Sequence, residues 1–147
     1  MDREYTTTGR LLGLDVGSKR IGVAVSDALG ITAQGLLTLQ RKNKRTDFAR
    51  LERFIRDYQV AEIVVGYPLH MRSGGQTAGS ERMEAFAEEL RQRFRLPVHL
   101  WDERLTTAEA QRVLRETEMS SRRRAQVVDQ MAAVLILSSF LERRRHQ

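Results

Sequence analysis

The chain has no cysteine and only two prolines, Pro68 and Pro97. The first absence excludes a disulfide framework and any metal site built on thiolates. The second excludes a proline-rich linker. No apolar run approaches the roughly 18 residues that a membrane span needs, and Met1-Asp-Arg-Glu-Tyr-Thr-Thr-Thr8 lacks the apolar centre of a secretory leader. Together these absences point to a cytoplasmic protein with no membrane partner. Aromatic residues are 6% of the chain and few interleave its basic runs, so the stacking platforms of single-strand binders are not signalled.

What is present is apolar patterning and positive charge. At 147 residues, 41% of them hydrophobic, the chain fits a single domain and argues against disorder despite 30% charged residues. The net charge of +6 is unevenly spread: residues 41–59 hold seven Lys/Arg against three acids, residues 119–147 six against two, and residues 60–118 eight against ten. Arg41-Lys-Asn-Lys-Arg45, Arg122-Arg-Arg124 and Arg143-Arg-Arg145 are the clusters. Such clusters bind phosphate backbones by counterion release, or else form a solvated basic surface.

Taken in order, residues 1–9 read as a flexible lead-in. Leu11–Val16 and Ile21–Val25, separated by Gly17-Ser18, read as a hairpin, and Ile31–Leu39 as a third strand with one wet face. Thr46 and Asp47 are positioned to cap a helix in which Phe48, Leu51, Phe54, Ile55 and Tyr58 recur at helical spacing. Val60–Val65 is a fourth strand, and the long loop after it runs to Gly79. A helix follows over Ser80–Leu90, then a fifth strand at Val98–Trp101, a helix over Ala108–Arg115, a polar loop over Glu116–Arg124, and a strongly apolar helix over Val127–Leu141. This order predicts a mixed α/β sheet with Leu11–Val16 at its centre.

Within that central strand Asp15 is the anomaly. Leu11, Leu12, Leu14 and Val16 surround it, and an ionised carboxylate there is costly unless paired, hydrogen-bonded or bound to metal. It either caps the turn or serves a site. Two further acids fall where a site would form. Glu103 lies just past the fifth strand, and Asp129 lies in the expected first turn of the last helix. Ligand sites gather outside the carboxyl ends of parallel strands. Asp102 competes with Glu103, but neighbouring strand residues point to opposite faces, and Glu103 has the better position. An oxygen-only donor set favours Mg²⁺ or Mn²⁺ over Zn²⁺. Two such ions would stabilise the attacking water and the leaving oxygen of a phosphodiester. Singly, Glu103 could pair with Arg104 or Arg20, and Asp129 could answer the helix dipole.

Four stretches occur in series: Leu14-Asp-Val-Gly-Ser-Lys-Arg-Ile-Gly-Val-Ala-Val-Ser-Asp27, Val65-Gly-Tyr-Pro-Leu69, Asp102-Glu-Arg-Leu-Thr-Thr107 and Asp129-Gln-Met-Ala-Ala-Val-Leu-Ile-Leu137. They resemble the successive motifs of the YqgF (RuvX) family, over about residues 10–142. That family has an RNase H-like fold, is related to the RuvC Holliday-junction resolvases, and is described as a nuclease for the 5′ end of the 16S ribosomal RNA precursor. The resemblance implies a five-stranded sheet in the order 3-2-1-4-5, with strand 2 antiparallel and helices on both faces. It also implies a nuclease domain over residues 10–142 followed by a basic tail at 143–147. Asp15, Glu103 and Asp129 match the acidic triad, with Mg²⁺ or Mn²⁺ as the implied cofactor. The loop departs from relatives, which often carry Asn where His70 stands and an acid where Arg72 or Ser73 stands.

The residues expected to hold nucleic acid are Lys19, Arg20, Arg72, Arg104, Arg122, Arg123 and Arg124. His99 and Trp101 are read as face and core residues of their strand. Three functions remain: a metal-dependent endonuclease acting on precursor rRNA, a resolvase acting on branched DNA, and a non-catalytic nucleic-acid-binding module. A sugar-kinase or actin-like phosphate loop also begins Asp-x-Gly, but it needs a second lobe. Resolving a symmetric junction would require a homodimer.

Overall fold

β1 (Arg10–Val16) is buried from Leu11 through Leu14 because it runs through the middle of the sheet. The computed structural model describes residues 9–67, 78–102 and 121–146. On one side β1 pairs antiparallel with β2 (Arg20–Ser26), which pairs antiparallel with β3 (Ala33–Gln40). On the other it pairs parallel with β4 (Val60–Tyr67), which pairs parallel with β5 (Val98–Asp102). The order is therefore β3-β2-β1-β4-β5, the mixed sheet expected, with β2 antiparallel. Residues 103–120, including the helix expected at Ala108–Arg115, lie outside the described residues.

Two apolar layers cover the sheet. On one face α1 (Lys44–Asp57) and α2 (Ala78–Phe94) bury Phe48, Leu51, Phe86 and Leu90 against Leu12, Leu14, Val23 and Ile63. Each such side chain contributes about 1.5–3 kcal/mol relative to an exposed one. On the other face α3 (Ser121–Arg145) lays Ala133, Ile136, Leu137 and Leu141 on Leu11, Ala24 and Val64. None of the described helices is long and apolar enough to cross a membrane.

Four local expectations are corrected. The cap of α1 is Asn43, whose side chain accepts from Thr46 N at 2.8 Å. Asp47 is instead buried in the first turn, four residues past the cap, accepting from Lys42 N at 3.0 Å. β3 begins at Ala33, leaving Ile31 52% exposed in the preceding turn, where Asp27 accepts from the Ile31 and Thr32 amides. α3 starts at Ser121, so the stretch read as a loop through Arg124 is helical at its end and Asp129 lies in the third turn. The dipole reading of Asp129 fails with it, because the effect fades beyond the first turn. Arg143–Arg145, read as a tail, form the last turn of α3.

Candidate active site

Glycine brings the last helix onto the sheet. Gly13, Ala24 and Gly35 are cross-strand neighbours on β1, β2 and β3, and Gly22 lies between Asp15 and Thr38 in the next row. A Cβ on Gly13 would sit 2.9 Å from Leu137 Cβ, and one on Gly35 3.1 Å from Gln130 Oε1. A Cβ on Gly22 would coincide with the Asp129 backbone carbonyl. At these three positions the helix therefore seats on strand backbone, the close approach that glycine in a strand interior often marks. These strand glycines were the signal that the sequence reading passed over.

That seating brings Asp15 and Asp129 together. Asp15 is the partner of Gly22 across the β1–β2 ladder and is half-buried. Alternation puts it on the same face as Leu11 and Gly13, beneath α3. Directly opposed Cβ positions lie about 5 Å apart, and the Asp129 backbone occupies the one at Gly22. Two carboxylate-bearing residues thus flank one glycine at the carboxyl end of the central strand.

Arg20 closes the group. Its Nε donates to Asp129 Oδ2 at 2.6 Å, with the Asp129 side chain 16% exposed and Arg20 34%. A charge-assisted bond of this length is at the strong end of the range. Gly17, Ser18, Lys19, Arg20 and Asp129 line a recess of about 280 Å³. The β1–β2 turn that forms its rim is closed by Gly17 N donating to Arg20 O at 2.8 Å. Lys19 is exposed on that rim. The recess therefore combines the Asp129 carboxylate, which attracts cations, with Lys19 and Arg20, cations that suit phosphate.

Of the other expected site residues, Glu103, Arg72 and Arg104 lie outside the described residues. Arg122, Arg123 and Arg124 belong to the first turn of α3, about 8–10 Å along its axis from Asp129 at 1.5 Å per residue. Arg123 is exposed. Among the described residues no three of His, Asp and Glu converge as a metal site. The pair that does meet offers oxygen donors only, which fit a hard divalent cation. His99 and Trp101 stand apart from the recess. His99 Nε2 lies 2.8 Å from Glu62 Oε1, a satisfied face residue as expected, whereas Trp101, expected in the core, is only partly buried against it and donates from Nε1 to Ser139 Oγ at 2.8 Å.

Residues 9–143 match a family model described as RuvX, Holliday junction resolvase. A relative from Koribacter versatilis is 58% identical over 136 residues, covering 92% of this chain and 88% of its own. One from Moorella thermoacetica is 52% identical over 134 residues, covering 91% and 95%. Both carry the name "Putative pre-16S rRNA nuclease". Among solved structures, RuvC from Thermus thermophilus in complex with Holliday junction substrate matches with a TM-score of 0.56 at 14% identity, covering 93% and 96%. The Fowlpox virus resolvase bound to Holliday junction DNA matches at 0.50 and 10% identity, covering 92% and 98%. These two structural likenesses concern the fold.

Proposed function

We propose, from the premise that this chain belongs to the RuvX family, that it is a metal-dependent nuclease hydrolysing phosphodiester bonds in structured nucleic acid. Its substrate in this reading is the 5′ end of the 16S rRNA precursor, processed in the cytoplasm during ribosome biogenesis. The observation that carries the reading is the meeting of Asp15 and Asp129 over Gly22, with Arg20 bonded to Asp129 beside them. Two half-buried acids beside a cation, one on the central strand and one on the helix that glycine admits over it, have no need in a plain core.

Asp15, Glu103 and Asp129 would hold Mg²⁺ or Mn²⁺. When bound, the ion supplies charge neutralisation and lowers the pKa of a coordinated water. Glu103 directly follows Asp102, the residue in register with Tyr67 at the end of β5. The protein's own groups do the rest. Carboxylate oxygens accept hydrogen bonds from the attacking water and orient it toward phosphorus. Arg20 and Lys19 neutralise the non-bridging oxygens as charge develops. Arg72, Arg104 and Arg122–Arg124 hold flanking phosphates, a sequence-independent contribution to affinity. Water is the nucleophile and no covalent enzyme intermediate forms.

The family description favours a second reading, resolution of four-way DNA junctions, which would call for a homodimer with two sites. The name carried by relatives at 58% and 52% identity favours the rRNA precursor. A Mn²⁺-dependent cleavage assay separates them, using a precursor-rRNA fragment, a single-stranded RNA and a four-way DNA junction. Cutting of the precursor fragment above the other two is expected. Asp15→Asn and Asp129→Asn should fold, bind and lose cleavage by at least about a hundredfold. Preference for the junction, with a dimer in solution, would move the assignment to the second reading. Binding of all three without cleavage would leave a binding module, and wild-type cleavage by Asp15→Asn would sink the site.

A further inference from the structure

The basic connector between β3 and α1 is bound to the rim of the recess. Arg41 N donates to Lys19 O at 2.9 Å, and Arg41 Nη1 donates to Gly17 O at 2.7 Å. The topology explains the contact. β3 ends at Gln40, the cross-strand partner of Arg20, so the connector leaves the sheet beside the same turn that walls the recess. Arg41 spends its guanidinium on this anchoring, which fixes where Lys42 to Arg45 emerge.

The charge along the connector is largely uncompensated. Lys19, Lys42 and Arg45 are exposed, and among the described residues none has an acidic partner within salt-bridge distance. Lys44 is paired with Glu89 of α2 at 2.7 Å. Beyond Arg45 the surface opens into a groove of about 670 Å³ between α1 and α2, where Glu88 and Glu89 join the lining. The positive run therefore starts at the recess and stops at that groove. From Arg41 to Arg45 the chain spans at most about 14 Å, so a strand held at Lys19 reaches both free cations within a few nucleotides.

We infer that this connector is a phosphate track: a nucleic-acid strand leaving the recess crosses Lys19 and continues over Lys42 and Arg45. The inference rests on the nuclease reading above and adds the direction in which the strand leaves. Lys42 and Arg45, which the inference adds, lie outside the motifs that carry the family resemblance. The track makes backbone contacts only, so it contributes affinity and register without base preference.

The test is the salt dependence of binding to a short labelled single-stranded RNA, in EDTA so that no strand is cut, for the wild type, K42Q/R45Q and R53Q/R56Q. Arg53 and Arg56 are exposed on the same helix but away from the connector, so they control for net charge. Each lost phosphate contact lowers the slope of log K against log salt by about 0.7 on a single strand. K42Q/R45Q should lose about 1.4 from the slope and bind more weakly, with R53Q/R56Q close to wild type. An unchanged slope in K42Q/R45Q, or an equal fall in both variants, overturns the track. If the wild type cuts RNA in a parallel Mn²⁺ assay, that overturning leaves the nuclease reading standing. A wild type that neither binds nor cuts ends both.

Discussion

The Asp129 carbonyl occupies the space that a Cβ on Gly22 would need. Helix and strand are in contact there through backbone alone, so any side chain at position 22 pushes α3 off the sheet exactly where the two acids meet. Overpacking of this kind costs about 1–3 kcal/mol, and about 1 Å of misplacement near reacting groups costs about a hundredfold in rate. Gly22→Ala is therefore expected to lower Tm by several degrees and cleavage by about a hundredfold. Leu137→Ala, a fully buried residue two turns further along α3, is the comparator. It should cost about 2–5 kcal/mol by cavity formation while leaving Asp129 seated. Equal rate loss in both at matched stability would show that the effect is stability alone.

Arg20 holds one oxygen of Asp129, so a cation arriving at the carboxylate meets a positive charge already in place. Removing that charge relieves the repulsion and also removes a phosphate neutraliser. Arg20→Gln should bind Mn²⁺ several-fold more tightly by isothermal titration and yet cleave at least about tenfold more slowly at saturating Mn²⁺. Weaker Mn²⁺ binding would contradict this account and mark Arg20 as needed to aim Asp129 at the ion.

The sheet was legible because its signals are local. The continuous apolar run Leu11–Leu14 marked a strand covered on both faces, and Gly17-Ser18 marked the hairpin turn. The start of α3 was not. Ser121-Arg-Arg-Arg124 carries no apolar stripe, so periodicity places the helix start at Val127, and Asp129 moves from the third turn to the first. The cap of α1 was misread because Thr46 and Asp47 are both good capping types. Only the backbone shows that Asn43 accepts from Thr46 N while Asp47 turns back to Lys42 N. The site was legible as a set of acids but not as a geometry. Arg20 and Asp129 are 109 residues apart, and no local pattern pairs them. Gly13, Gly22 and Gly35 read singly as weak points in strands, and only the packed helix shows them as one seat.

The corrected cap makes a clean discrimination. Replacing an N-cap Asn by Ala costs about 1 kcal/mol, and by Gly only a few tenths. Asn43→Ala should therefore lower the urea midpoint measurably, Asn43→Gly much less, and Thr46→Ala little, since the Thr46 backbone amide, not its side chain, makes the bond. A larger loss in Thr46→Ala than in Asn43→Ala would return the cap to the position that the sequence suggested.

At the far end of α3, Glu62 ties the sheet to the helix. It accepts from Arg144 Nη1 and Nη2 at 3.0 and 2.8 Å and lies 2.8 Å from His99 Nε2. Arg144 also stacks on Phe140, 4.8 Å from its ring centre. The hydrogen bond from His99, then that from Arg144, hold the Glu62 carboxyl down at about 2, against 4.5 for an ordinary glutamate. A carboxyl whose folded pKa is depressed stabilises the fold above its unfolded value and loses that stabilisation as pH falls toward the folded value. The contribution is thus whole above about pH 4.5 and disappears as pH falls toward about 2. Counted in full the shift is about 3 kcal/mol at 1.36 kcal/mol per unit. His99 is 34% exposed and Arg144 42%, and screening reduces the figure to about 1–2 kcal/mol. Glu62→Gln should be less stable than wild type by that amount at pH 7, with the difference shrinking as the pH is lowered through 4. Urea midpoints for both proteins across that range read it directly, and a gap that stays constant with pH would show that the Glu62 charge does not hold this corner together.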